Sequence, residues 1–154
     1  MRLYLPATLD DLDPDADGAV TLTPRVAHAV TPALRAALPD EDEEGLEFSA
    51  HLAAADDSLA LVGESADAPP LRLVVIVDVP PEAVREAGSL DAGPSAVELV
   101  TRVGRDAIAC VHVDEPALRE DVRAALAGDE AAAERVADAD LLWYDVAELG
   151  ELPR

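Results

Sequence analysis

Residues 71–79 (LRLVVIVDV) constrain this chain more than any other stretch. Their Val and Ile content is nearly continuous, without the alternation of a strand that has one wet face. Such a run predicts a strand buried on both sides, set centrally in a sheet with material packed above and below. Pro80 and Pro81 end it, since neither can continue a hydrogen-bonded ladder.

Other segments fit around that strand. Residues 2–6 (RLYLP) read as a short strand, and Thr8 with Asp11 three positions on reads as the cap of a brief helical turn. Residues 25–30 (RVAHAV) alternate, with Val26, His28 and Val30 on one face. Thr31 before Pro32 is a helix start. The acidic segment 39–45 (PDEDEEG) then interrupts that helix and forms the negative first turn of a longer one. In the longer helix Phe48, Leu52, Ala55, Leu59 and Val62 recur at intervals of four and three, which predicts one buried stripe.

Strands are also expected at 96–103, 107–113 and 141–145. Asp114 is positioned to cap a following helix that carries Leu118, Val122, Ala125 and Leu126 and stops at Gly128. A weaker alanine-rich helix is expected at 129–138. Strands and helices alternate, but some strand connections are too short for parallel crossovers. The expected class is therefore α/β in the broad sense (α+β): one domain over residues 1–154, with a mixed sheet, helices mainly on one face, and a ferredoxin-like arrangement as the favoured topology. Acidic loops fall near 13–18, 39–45, 63–70 and 87–94.

Composition narrows function by exclusion. Leu, Val, Ile and Phe supply 41 of the 154 residues, well above the level at which an acidic chain stays disordered. There is no lysine, asparagine or glutamine, so lysine Schiff-base chemistry, a phosphate-loop lysine and side-chain amide oxyanion donors are all excluded. With 33 acids against 11 arginines the net charge is −22, which repels phosphate backbones and favours basic protein partners. We expect no nucleic-acid binding. One cysteine, Cys110, permits no internal disulfide and suits a reducing compartment. No apolar run reaches membrane-spanning length, and the chain opens on a strand-like segment instead of a leader, so the expectation is a cytoplasmic protein with no membrane association.

Four segments, MRLYLPATL (1–9), VAHAVTPALR (26–35), ACVHVDE (109–115) and LLWYDVAEL (141–149), resemble the pattern of an uncharacterised family of actinobacterial proteins, a domain of unknown function. The resemblance implies no activity and no site residue.

Candidate sites must come from the residues themselves. His28 and His112 both fall in strand patterns, and on a shared face they would converge with Asp78 or Tyr144 to give an acid–base, ligand or metal site. His51 reads as lying on the polar face of the long helix, paired with Glu47 one turn earlier. Asp13, Asp15, Asp17 and Gly18 open like a calcium loop, but Pro24 stands where the twelfth-position Glu belongs. Trp143 and Tyr144 hold half the aromatic content in adjacent positions and suit an interface anchor. No nucleophile elbow, zinc-protease, dinucleotide or Cys-x-x-Cys motif occurs. The leading expectation is a non-enzymatic domain that binds a protein partner or itself, with His28, Asp78, His112, Trp143 and Tyr144 as candidates. No cofactor and no metal are favoured. The rival is a small enzyme or a ligand or metal sensor using His28, His112, Asp78 and Tyr144, or a cation loop at Asp13 to Asp17.

Overall fold

The protein is described here by a computed structural model covering residues 1–88 and 90–154. Strand β1 (Arg2–Ala7) runs into a 3-10 turn (Leu9–Leu12), whose start is closed by Thr8 and Asp11 as a capping box. The short β2 (Thr21–Leu22) and β3 (Arg25–His28) follow, then α1 (Pro32–Ala37) and α2 (Glu43–Glu64). The Thr31 hydroxyl accepts the Leu34 amide at the α1 start, and the Asp42 carboxylate accepts the Gly45 amide at the α2 start. Next come β4 (Leu73–Asp78), β5 (Val84–Glu86), β6 (Ala96–Leu99), β7 (Val103–Gly104) and β8 (Ile108–Val113). The chain ends with α3 (Arg119–Leu126), α4 (Glu130–Asp138), β9 (Leu142–Asp145) and a second 3-10 segment (Val146–Glu151). Gly128 ends the α3 turn with φ of 98°, a left-handed conformation that side chains disfavour. The loop expected at 87–94 includes position 89, which lies outside the described residues.

Seven strands form one sheet in the order β5-β6-β3-β1-β4-β8-β9, and β2 with β7 forms a small separate ribbon. The α+β class is the one observed. The sheet is not the mixed one expected, because every pairing among the described residues is antiparallel. The crossover through α1 and α2 joins β3 to β4, which flank β1 and run parallel to each other without touching. This is not the ferredoxin-like strand order. The chain places its crossover around the first strand, and its other sheet neighbours are joined by connections compatible with antiparallel pairing.

β4 occupies the place its sequence demands, between β1 and β8, with Leu73, Val74, Val75, Ile76 and Val77 all buried. One side of the sheet carries Leu3, Leu5, Leu73, Val75, Val77, Val111 and Val113 against a lid of irregular chain. That lid is made largely of the first and last 3-10 segments, contributing Leu9, Leu12 and Leu149, with Leu152 just after the last and Leu22 and Val103 from the ribbon. The opposite side carries Tyr4, Val74 and Ile76 against Leu34 of α1 and Leu46, Ala50, Ala54 and Ala55 of α2. Small side chains on α2 let the helix sit close to the sheet. Ser58 uses that closeness: its buried hydroxyl donates to the Ala7 carbonyl at 2.7 Å and accepts the Leu73 amide at 2.8 Å, bridging paired strand ends.

Three local expectations are corrected. The strand expected at 96–103 is broken: β6 ends at Leu99 in the main sheet, and β7 starts at Val103 in the ribbon with β2. Asp114 does not cap the following helix; it is fully buried in an ion pair with Arg72, and a 3-10 turn (Pro116–Leu118) intervenes before α3. The stripe expected on α2 is buried only in part: Ala55 and Val62 are buried and Leu59 is half-buried, but Phe48 and Leu52 are exposed, and Leu46, Ala50 and Ala54 face the sheet. The helix bears two adjacent apolar stripes, and the sheet takes the one with smaller side chains.

Candidate functional site

The second apolar stripe of α2 has an uneven fate. At its C-terminal half Val62 and Leu59 are covered by Val122 of α3 and Val136 of α4. At its N-terminal half nothing comparable covers it among the described residues, and Phe48 remains 56 % exposed and Leu52 40 %. Across the sheet edge lies β9, with Trp143 59 % exposed. Trp143 is opposite His112 in the β8–β9 register, so both side chains leave the sheet on the α2 side. Between these walls lie His51 and His112, with ring centroids 4.7 Å apart.

His51 is the floor of this arrangement. Phe48 stacks on it at 6.5 Å with planes 14° apart, and Tyr4 meets it edge-on at 6.2 Å. Its exposure is 9 %, and its Nε2 has no hydrogen-bond partner among the described residues. Burial lowers its pKa to about 4, with smaller contributions from His112 and Arg72; His112 is lowered by burial as well. Burial pushes Tyr4 up to about 12 and raises the Cys110 thiol, against a hydrogen bond from Trp143 that lowers it. Tyr4, His51, Cys110 and His112 are therefore uncharged near neutral pH. The expected exposed pair of His51 with Glu47 does not form, because the helix turns that position inward.

The other expected residues are dispersed. His28 lies on the same face as His112, but β1 and β4 stand between their strands, so three strand spacings of ~4.8 Å separate them, about 14 Å. His28 Nδ1 lies 2.8 Å from Ser95 Oγ and Nε2 lies 2.9 Å from Asp57 Oδ2. A carboxylate only accepts, so Nε2 carries the proton and a singly protonated ring accepts the Ser95 hydroxyl at Nδ1. The three residue types of a hydrolytic triad are present, but Ser95 and His28 are buried while Asp57 is half exposed. That is the inverse of an accessible nucleophile backed by a buried acid. The chain of bonds ties α2 to β3 and to the segment before β6.

Asp78 forms a bidentate pair with Arg2 at the strand end, about half exposed. Tyr144 is opposite Val111 and packs on the other side of the sheet from Trp143, as adjacent strand residues must. In the acidic turn, Asp15 Oδ1 accepts the amides of Asp17 and Ala19, each at 2.9 Å, and Asp13 pairs with Arg154. Among the described residues no group of three or more His, Cys, Asp or Glu is placed to hold a metal ion. Among them also, no helix is long and apolar enough to cross a membrane.

What sequence reasoning missed is the pairing of Phe48 with His51 and of His51 with His112. A signal was available: Glu44, Phe48, Leu52 and Asp56 recur at four-residue intervals, an apolar centre with acidic ends, and all four are exposed.

Residues 1–152 match a family of unknown function, DUF6912, and the chain belongs to that family. No curated protein and no solved structure matches it.

Proposed function

We propose that the groove between Phe48 and Leu52 on α2 and Trp143 on β9 docks a basic segment of another protein, added as a strand to the free edge of β9. The carrying observation is the ring cluster. Tyr4, Phe48, His51, His112 and Trp143 are five of the chain's seven aromatic and imidazole side chains, and they lie on the α2 side of the sheet between β1 and β9. Exposed aromatics over a desolvated floor are the usual anchors of interfaces.

Charge selects the occupant. Neither 44–57 nor 138–151 contains an arginine or lysine, while Glu44, Asp56, Asp140 and Asp145 lie in those two stretches. A second copy of a chain of net charge −22 would bring like charge to them; a lysine- or arginine-rich segment would neutralise them. β9 ends the seven-stranded order, so its outer backbone groups are available to an incoming strand. A cytoplasmic setting fits this reading, and direct nucleic-acid binding does not.

Calorimetric titration with a peptide of alternating lysine and valine, alongside an alternating glutamate and valine peptide, tests it. Saturable 1:1 binding of the lysine peptide alone, reported also by Trp143 fluorescence and lost in Phe48→Ser and Leu52→Ser, is expected. Binding that survives both substitutions would be plain attraction to an acidic surface and would overturn the reading. A homodimer by native mass spectrometry that dissociates in Trp143→Ser would assign the groove to a second copy instead, and would overturn it too.

A further inference from the structure

We propose that the cleft where the end of α2 meets the start of α3 binds a compact phosphate-bearing anion, held by Arg119, Arg123 and Arg154. The cleft has a volume of about 560 Å³, within the range of small-molecule sites. Three of the chain's 11 arginines line it, an unusual concentration in a protein this acidic.

Arg119 is the decisive residue. Among the described residues eight of the arginines hold a carboxylate in an ion pair. Arg119 holds none among the described residues, and its Nε is buried without a hydrogen-bond partner. The terminal nitrogens of this half-buried guanidinium make no hydrogen bond among the described residues either, so an anion in the cleft meets a cation with donors to spare. Arg123 is paired with Glu120 and Arg154 with Asp13, but both pairs are solvent-exposed and weak enough to be exchanged for a ligand oxygen. The Ser65 hydroxyl accepts the Ala68 amide, which leaves its own hydrogen free to donate. One acid, Asp67, is among the lining residues.

The lining also limits the ligand. The guanidinium fork matches phosphate oxygens, whereas no aromatic side chain lines the cleft to stack a nucleobase. The occupant is therefore a small phosphate compound without a base, of which pyrophosphate and sugar phosphates are the two chemical sources.

Calorimetry with inorganic pyrophosphate and with ribose 5-phosphate, on the full chain at low salt, tests this. Saturable 1:1 binding of either probe, weakened about tenfold or more in Arg119→Gln and in Arg123→Gln, is expected. The tighter probe identifies the source. Arg85→Gln, which breaks an exposed pair with Glu98 on the far sheet edge, should leave binding unchanged. Near-ultraviolet circular dichroism of each variant establishes that the fold is retained. Absence of binding by both probes to the parent protein, or equal weakening in Arg85→Gln and Arg119→Gln, would overturn the assignment.

Discussion

Arg72 and Asp114 lock the start of β4 to the end of β8 through an ion pair from which water is excluded. The Asp114 carboxylate accepts the Arg72 backbone amide at 2.8 Å and guanidinium donors at 2.8 and 3.0 Å, and the Asp114 amide donates back to the Arg72 carbonyl. The guanidinium also reaches the Ala139 carbonyl at 3.2 Å, which ties the α4–β9 connection to the same point. Asp114→Ala should therefore cost about 3–5 kcal/mol, because it strands a buried cation and a buried amide together. Arg72→Met with Asp114→Leu should be much less destabilised than either single change, since two apolar groups need no partner. Urea denaturation of the three variants measures this, and equal losses in all three would contradict it.

The imidazole pair makes stability depend on pH in a defined direction. The folded-state pKa of His51 is about 4, below its ordinary 6.5, so the unfolded chain takes up the proton first as pH falls. The stabilisation is fully present above about pH 6.5 and is lost as pH falls toward about 4, an effect on the order of 3 kcal/mol at most. His112 acts in the same direction. Unfolding free energies at about pH 7.5 and about pH 5 should differ in the parent and converge in His51→Leu with His112→Leu. An unchanged difference in the double variant would show that other groups carry the dependence.

Phe48 and Trp143 contribute surface rather than core. Phe48→Ser and Trp143→Ser should change stability by about 0.5 kcal/mol or less. Thermal unfolding checks this, and a loss of several kcal/mol in either variant would place the ring inside the core instead.

Ser95 and Asp57 both bond His28, yet their removal should not cost the same. Ser95→Ala leaves Nδ1 buried and unsatisfied, a loss of about 1–3 kcal/mol. Asp57 is half exposed, so water can take its place in Asp57→Ala and the cost should be below about 1 kcal/mol. Comparing melting temperatures of the two variants decides the order.

Much of the fold was legible because it is local. The Val and Ile run at 73–77 could only be a strand covered on both faces. Thr8 with Asp11, Thr31 with Pro32, and Gly128 each acted at the position where its own backbone chemistry applies. The candidate site was legible only in parts. His112 and Trp143 were singled out separately, but their being opposite one another depends on β8 pairing with β9 across two intervening helices. Asp114 looked like a cap because its partner, Arg72, is 42 residues away in sequence.

The sequence by itself determined the helices, the central strand and the net negative charge, since these follow from residue type and short-range spacing. Tertiary structure decided the strand order, which separates His28 from His112, and the face of α2 that the sheet would take. The physical reason lies in α2 itself. It offers two apolar stripes of similar merit, and the sheet could approach closely only along Ala50 and Ala54, which left Phe48 and Leu52 at the surface beside Trp143.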